Sequence, residues 1–193
     1  SQQYDLGFSE TPTPRASIQQ TDYDMECVCV LPADDPLTAK SVITPADLDG
    51  HPMAVLFDEH STAIQTEAAF RAMGNRFNKR FELRTFLPGL QFVAAGACVM
   101  VCDMITAYSH ILQAPQSSGL AFRRFAPKVS SHVSILTPGY ATQSMAGCAF
   151  ISELETAVTG VQDEVERALN LPWAEALLHK SADGRTPPSP KRI

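Results

Sequence analysis

Four stretches of the chain bring ionisable and hydroxyl side chains to the end of an apolar run, where a small polar molecule could be held. In Leu56-Phe57-Asp58-Glu59-His60-Ser61-Thr62 a strand pattern empties into a helix start. The free N–H groups of a first helical turn and the positive end of its dipole favour a bound carboxylate, with the Ser61 and Thr62 hydroxyls as further donors. Asp58 and Glu59 oppose a bare anion, so this junction suits a ligand that also carries an amine or guanidinium. The plainer alternative is that these residues only cap the helix.

The second stretch, Thr85-Phe86-Leu87-Pro88-Gly89-Leu90-Gln91, repeats the strand-to-helix step, with Leu87, Pro88 and Gly89 as ligand-binding candidates and Gly89 permitting close backbone approach. The third, Val101-Cys102-Asp103-Met104-Ile105-Thr106, ends an apolar strand in an acid followed by the Thr106 hydroxyl; its plain alternative is a surface turn. In the fourth, a strand over Gly7-Phe8-Ser9-Glu10-Thr11-Pro12 leaves the fold with Ser9 and Glu10 in succession. Catalytic constellations are scarce: the sequence has no Gly-x-Ser-x-Gly elbow, phosphate loop, Gly-x-Gly-x-x-Gly or His-Glu-x-x-His. Of the five histidines, His60 alone stands beside other candidates. An enzyme using Asp58, His60 or Asp103 as acid and base is the competing reading from another class.

The five cysteines, Cys27, Cys29, Cys98, Cys102 and Cys148, are odd in number and mostly sit inside apolar runs. That pattern fits a reducing compartment and small core hydrophobes better than a disulfide framework or a zinc knuckle, so neither a metal nor a cofactor is expected. With 193 residues, 45% hydrophobic and 19% charged, the chain is large enough for one domain or two small lobes and too apolar to be disordered. Fifteen Lys and Arg against twenty-one Asp and Glu give a net charge of −6, which argues against a surface built to grip a phosphate backbone. No apolar run is long enough to cross a bilayer, and the first residues lack the pattern of a signal peptide, so no membrane association and a cytoplasmic location are expected.

The elements that must position these groups alternate. Met25–Leu31, Met53–Phe57 and Cys98–Cys102 read as strands buried on both faces, Phe81–Phe86 as a half-exposed strand, and Val129–Thr137 as a late strand. A short helical turn is expected after Thr44-Pro45, stopped by Gly50. A longer helix is capped by Ser61 or Thr62, carries Ile64, Ala68 and Ala72 at four-residue spacing, pairs Glu67 with Arg71, and ends at Gly74. Another runs from Pro88 to Ala95. The last strong helix presents Phe150, Leu154, Val158, Val161, Val165 and Ala168 on one face. The 180–193 segment is expected to be a disordered tail. Strands alternating with helices predict an α/β fold with mainly parallel sheets.

The succession Tyr4-Asp5-Leu6-Gly7-Phe8, then Cys27-Val28-Cys29-Val30-Leu31-Pro32-Ala33-Asp34-Asp35-Pro36-Leu37, Ile43-Thr44-Pro45-Ala46-Asp47-Leu48-Asp49-Gly50 and Val93-Ala94-Ala95-Gly96 resembles the effector-binding domain of LysR-type transcriptional regulators. The resemblance runs from about Tyr4 to Leu169. It implies two Rossmann-like lobes of periplasmic-binding-protein type II, residues 1–32 with 126–170 and residues 33–125. It also implies a small-molecule effector in the cleft, no reaction, and assembly as a homodimer or tetramer. The four polar junctions fall where family members line that cleft. Val101-Cys102-Asp103-Met104-Ile105-Thr106-Ala107 looks closest to the amino-acid- and opine-sensing branch, with Asp103 where that branch often has asparagine and Met104 in place of a proline. The family's helix-turn-helix, through which the full-length protein would bind DNA, and its first strand–helix–strand do not precede Tyr4, so the chain is expected to be N-terminally truncated relative to the family. A solute-binding protein of a transporter shares the fold and is the alternative.

Overall fold

The structure, a computed structural model, describes residues 4–113, 119–140 and 143–170. The expected tail, 180–193, lies outside the described residues. Two sheets are formed. The smaller contains β1 (Gly7–Glu10), β2 (Ile18–Glu26) and β9 (Ser130–Pro138), in the order β1-β9-β2 with every neighbour antiparallel. The larger contains β3 (Val28–Pro32), β4 (Val42–Ile43), β5 (Pro52–Leu56), β6 (Asn78–Leu83), β7 (Val99–Cys102) and β8 (Leu120–Phe125), in the order β4-β8-β3-β7-β5-β6. Here β5 runs parallel to β6 and β7, and β4 parallel to β8, while β3 alone opposes both its neighbours.

Strand β3 shows why the larger sheet needs helices on both faces. Its alternate residues feed two cores: Val28 and Val30 pack with Leu56, Met100 and Phe122, and Cys29 and Leu31 pack with Ile43, Val55 and Val101. Each buried Val or Leu contributes about 1.5–3 kcal/mol relative to exposure. Helix α1 (Ser61–Ala72) covers the second core through Ala69 and Phe70. Helices α2 (Leu87–Ala94) and α3 (Met104–Gln113) cover the first through Leu90, Val93, Met104 and Ala107. The 26-residue helix α4 (Met145–Asn170) joins the two sheets, for Val165 packs into the core of the larger one while Val158 packs with Met25 and Val133 of the smaller.

The chain passes from the smaller sheet to the larger at Cys27 and returns over Ala126–Val129, where the Ala126–Pro127 peptide is cis. The two passages touch, the Cys27 N–H donating to the Val129 carbonyl over 2.8 Å.

Several expectations are corrected. The run Met25–Leu31 is not one strand but the end of β2 and most of β3, divided at Cys27 because its halves pair in different sheets. Parallel pairing prevails in the larger sheet only. The segment after Thr44 is a turn rather than a helix. Ile64, 54% exposed, and Ala68 and Ala72 lie on the solvent side of α1, whose packed face is Thr62, Ala63, Thr66, Ala69 and Phe70. The Glu67–Arg71 ion pair forms at 2.8 Å, and Gly74 closes the helix with φ +70°. Of the α4 face, Leu154, Val158, Val161 and Val165 pack, whereas Phe150 is exposed. Among the described residues no helix is long and apolar enough to cross a membrane.

Candidate functional site

The connections of the larger sheet reverse direction at two adjacent strands. After β5 the chain turns to α1 on one face, and after β7, its parallel neighbour, to α3 on the other; such reversals leave a gap at the carboxyl ends of the strands, where α/β sheets bind ligands. The β5 end delivers His60, Ser61 and Thr62, and the β7 end Asp103 and Thr106, so topology sets two of the four sequence junctions at the ends of neighbouring strands. The smaller sheet closes on the same end. Ile105 packs against Met25, Tyr23 and Val133, and the Gln65 side chain both donates to the Ser130 carbonyl and accepts the Ser130 N–H, each over 2.9 Å.

His60, and not Ser61 or Thr62, caps α1. Its Nδ1 accepts the Thr62 N–H at 3.2 Å and stands 2.8 Å from the Thr62 hydroxyl. A nitrogen that accepts a backbone N–H carries no proton, so the ring proton sits on Nε2, which donates to the carboxylate of Glu10 on β1. His60 is 6% exposed and makes T-shaped contacts with the rings of Phe57 (5.5 Å, 88°) and Phe86 (6.2 Å, 76°). The Arg84 guanidinium lies 5.4 Å over the Phe57 ring.

Asp103 is the cap of α3: its carboxylate accepts the Thr106 N–H at 2.8 Å and the Thr106 hydroxyl at 2.7 Å. Ser61 stands exposed at the first position of α1. Ser9 and Glu10, successive on β1, face opposite sides of the smaller sheet, with Ser9 sharing the row of Ser134 and Asp22; only Glu10 reaches α1. Asp58 turns outward instead, pairing with Lys79 beside a cavity of about 290 Å³ that Val55, Ala63, Glu67 and Phe77 also line. Hydrogen bonds to Asp58 and Glu82 raise the Lys79 ammonium above its usual value.

Leu87 and Pro88 are exposed at the start of α2. Gly89 permits a close approach, but of helix to sheet: a Cβ there would stand 2.5 Å from Met100 Sδ and 2.7 Å from Leu83 Cδ1. Burial pushes the Cys102 thiol well above its usual value, with the Asp103 charge adding to it, and pushes Cys98 up to about 11. Both stay protonated and unreactive. Among the described residues no group of three His, Cys, Asp or Glu is placed to hold a metal ion.

Four contributors to this region, Gln65, Ser130, Phe86 and Ile105, escape sequence reasoning. For Gln65 a signal existed: it adjoins Thr62 and Thr66, polar positions on a packed helix face.

The model of the LysR substrate binding domain matches residues 1–159. The transcriptional activator protein LysR of Escherichia coli (strain K12) is 27% identical over 171 residues, 88% of this chain and 53% of that protein, so the chain spans about half the length of this curated relative. Among solved structures, the regulatory domain of CcmR from Synechocystis PCC6803 in complex with 2-PG aligns with TM-score 0.62 and 17% identity, covering 79% of this chain and 73% of the other. The effector-binding domain of QuiR in complex with shikimate aligns with TM-score 0.57 and 14% identity, covering 77% and 69%. These neighbours share the two-lobed α/β fold of the periplasmic-binding-protein type II kind.

Proposed function

We propose that this chain, which belongs to the LysR substrate-binding domain family, is the effector-sensing part of a LysR-type transcriptional regulator and binds a small amino-acid-like carboxylate between its two sheets. In this reading the smaller sheet with α4 forms one lobe and the larger sheet the other, with Cys27 and Ala126–Val129 as the passages between them. The observation that carries the reading is the reversal of connections at β5 and β7: the N-terminus of α1, with the exposed Ser61, and the N-terminus of α3, with Asp103, stand at the carboxyl ends of adjacent parallel strands, and the effector crevice is assigned to that end. Ser61 and the helix N–H groups suit a carboxylate; Asp103 suits the amine of the same molecule.

Binding across two lobes does regulatory work if the ligand has different affinity for their arrangements, which shifts the population between them. The readout belongs to the full-length protein: a homodimer or tetramer, with DNA bound by a helix-turn-helix. Cytoplasmic residence and the absence of a catalysed reaction accompany this reading. The small molecules bound to the CcmR and QuiR domains support small-molecule binding, and the likeness to a transcriptional activator favours a sensor over a transporter's solute-binding protein.

A thermal-shift screen of amino acids, opines and aromatic acids tests the proposal. A ligand at a hundred times its Kd adds about 2.7 kcal/mol, or roughly 5–10 °C for a chain of this size. An effector should raise Tm by that amount without being consumed. Conversion to product, or no shift with any member of the panel, overturns it.

A further inference from the structure

Glu10 and His60 lie fifty residues apart, on different sheets' elements, yet their side chains meet. The His60 ring is fixed on every side but one. Thr62 holds Nδ1, Phe57 and Phe86 make edge contacts with the ring, and the polar group left over, Nε2–H, is directed at the smaller sheet. What fills it is a carboxylate belonging to that sheet. The Glu10 side chain is 69% exposed, so it can leave for water at little cost, whereas His60, with 5% of its side chain exposed, cannot follow. One partner is fixed and the other is loose, and the fixed one is a donor suited to any carboxylate.

We infer that Glu10 is an internal competitor for the effector: its carboxylate occupies, in the free protein, the Nε2–H of His60 that the effector's own carboxylate takes on binding. This rests on the crevice reading above and deepens it by naming the group displaced. Two consequences follow. In the free protein Glu10 ties the smaller sheet to the α1 cap alongside the Gln65–Ser130 pair, so displacement removes one of the contacts between them. The effector must also outcompete a tethered carboxylate, which sets a threshold concentration below which the sensor stays silent.

The alternative role for Glu10 is receptor for a ligand amine, and the two roles predict opposite effects of its removal. The test uses the full chain labelled with [15N]histidine, with His60 Nε2 followed by NMR during titration with sodium acetate, a carboxylate without an amine, and with L-alanine, which has both. If Glu10 competes, Glu10→Ala alone shifts the His60 Nε2 resonance, and both probes then move it at about tenfold lower concentration than in the wild type. Glu10→Gln falls between, because a neutral amide oxygen accepts more weakly. Equal acetate titrations in wild type and Glu10→Ala, a selective loss of the L-alanine response, or no response at His60 in either protein each overturn the inference. A compound that raises Tm while leaving His60 unmoved overturns it too, but leaves effector binding standing; failure of the whole thermal panel removes the functional reading, whereas the acetate arm still decides the role of Glu10.

Discussion

Gln65 on α1 and Ser130 at the head of β9 are joined as neighbouring strands are, the side-chain amide of one giving and taking a hydrogen bond of 2.9 Å with the backbone of the other. Ser130 is buried, so no water replaces a lost partner. Gln65→Leu leaves both backbone groups unpaired and should cost about 2–3 kcal/mol, read as a lower urea midpoint with an unchanged m value. Gln65→Glu, which keeps the acceptor for the Ser130 N–H but sets a carboxylate against the carbonyl, should be no better. A midpoint within error of wild type for Gln65→Leu would mean the smaller sheet is held elsewhere.

Gly89→Ala distinguishes a packing glycine from a ligand-facing one. The added methyl meets Met100 and Leu83 inside the larger core, so overpacking should destabilise the chain by about 1–3 kcal/mol. Thermal melts should show the loss, while effector affinity per folded molecule stays at the wild-type value. Weaker binding with unchanged Tm would place Gly89 in the ligand site instead.

The orientation of α1 is tested by a pair of substitutions. Ile64→Ser, on the exposed face, should leave the stability within about 0.5 kcal/mol of wild type. Phe70→Ala, fully buried against Phe77 and the sheet, should cost about 3–5 kcal/mol. Reversed magnitudes in chemical denaturation would turn the helix over.

Acid should weaken the fold through Asp47. Burial pushes its carboxyl up, but the Lys40 ammonium and the Thr44 N–H and hydroxyl, both at 2.9 Å, outweigh this and hold it below the usual 3.8. A carboxylate whose folded value is depressed contributes stability that is present above its unfolded value and disappears as pH falls through the folded one. Tm should therefore decline below about pH 4, and Asp47→Asn should flatten part of that decline while lowering Tm near neutrality. A parallel acid limb in the variant would contradict the assignment.

Asp103 separates capping from recognition. Asp103→Ala should cost about 0.5–2 kcal/mol by uncapping α3, whereas Asp103→Asn keeps an oxygen acceptor and most of the stability. If Asp103 also faces a ligand amine, the asparagine variant loses affinity with Tm nearly intact, which differential scanning and calorimetric titration together resolve.

What was legible in the sequence follows where side chains saw one environment. β3, β5 and β7 are buried on both faces, so their apolar runs announce them, and Glu67–Arg71 is a purely local pair. β2 was only partly readable because IQQTDYDME lies in a thin, solvated sheet and keeps little apolar alternation. α1 was readable as a helix but not in its rotation: its packed face is built from Thr62, Ala63, Thr66 and Ala69, small groups that fit against a sheet, while the more hydrophobic Ile64 stands in water. The site was legible as separate junctions. What brought Glu10 to His60 and Gln65 to Ser130 was the passage of the chain between sheets, and contacts across 50 and 65 residues leave no trace in local spacing.

Calorimetric titration of an effector found in the thermal screen into wild type, Ser61→Ala, Asp103→Asn and Lys79→Ala tests the placement of the ligand most directly. If it lies in the crevice between the sheets, Ser61→Ala and Asp103→Asn each weaken binding by about tenfold, and Lys79→Ala, beside the outer cavity, leaves it unchanged. Loss of affinity in Lys79→Ala with wild-type binding in the other two would contradict the account and move the site to the far side of α1.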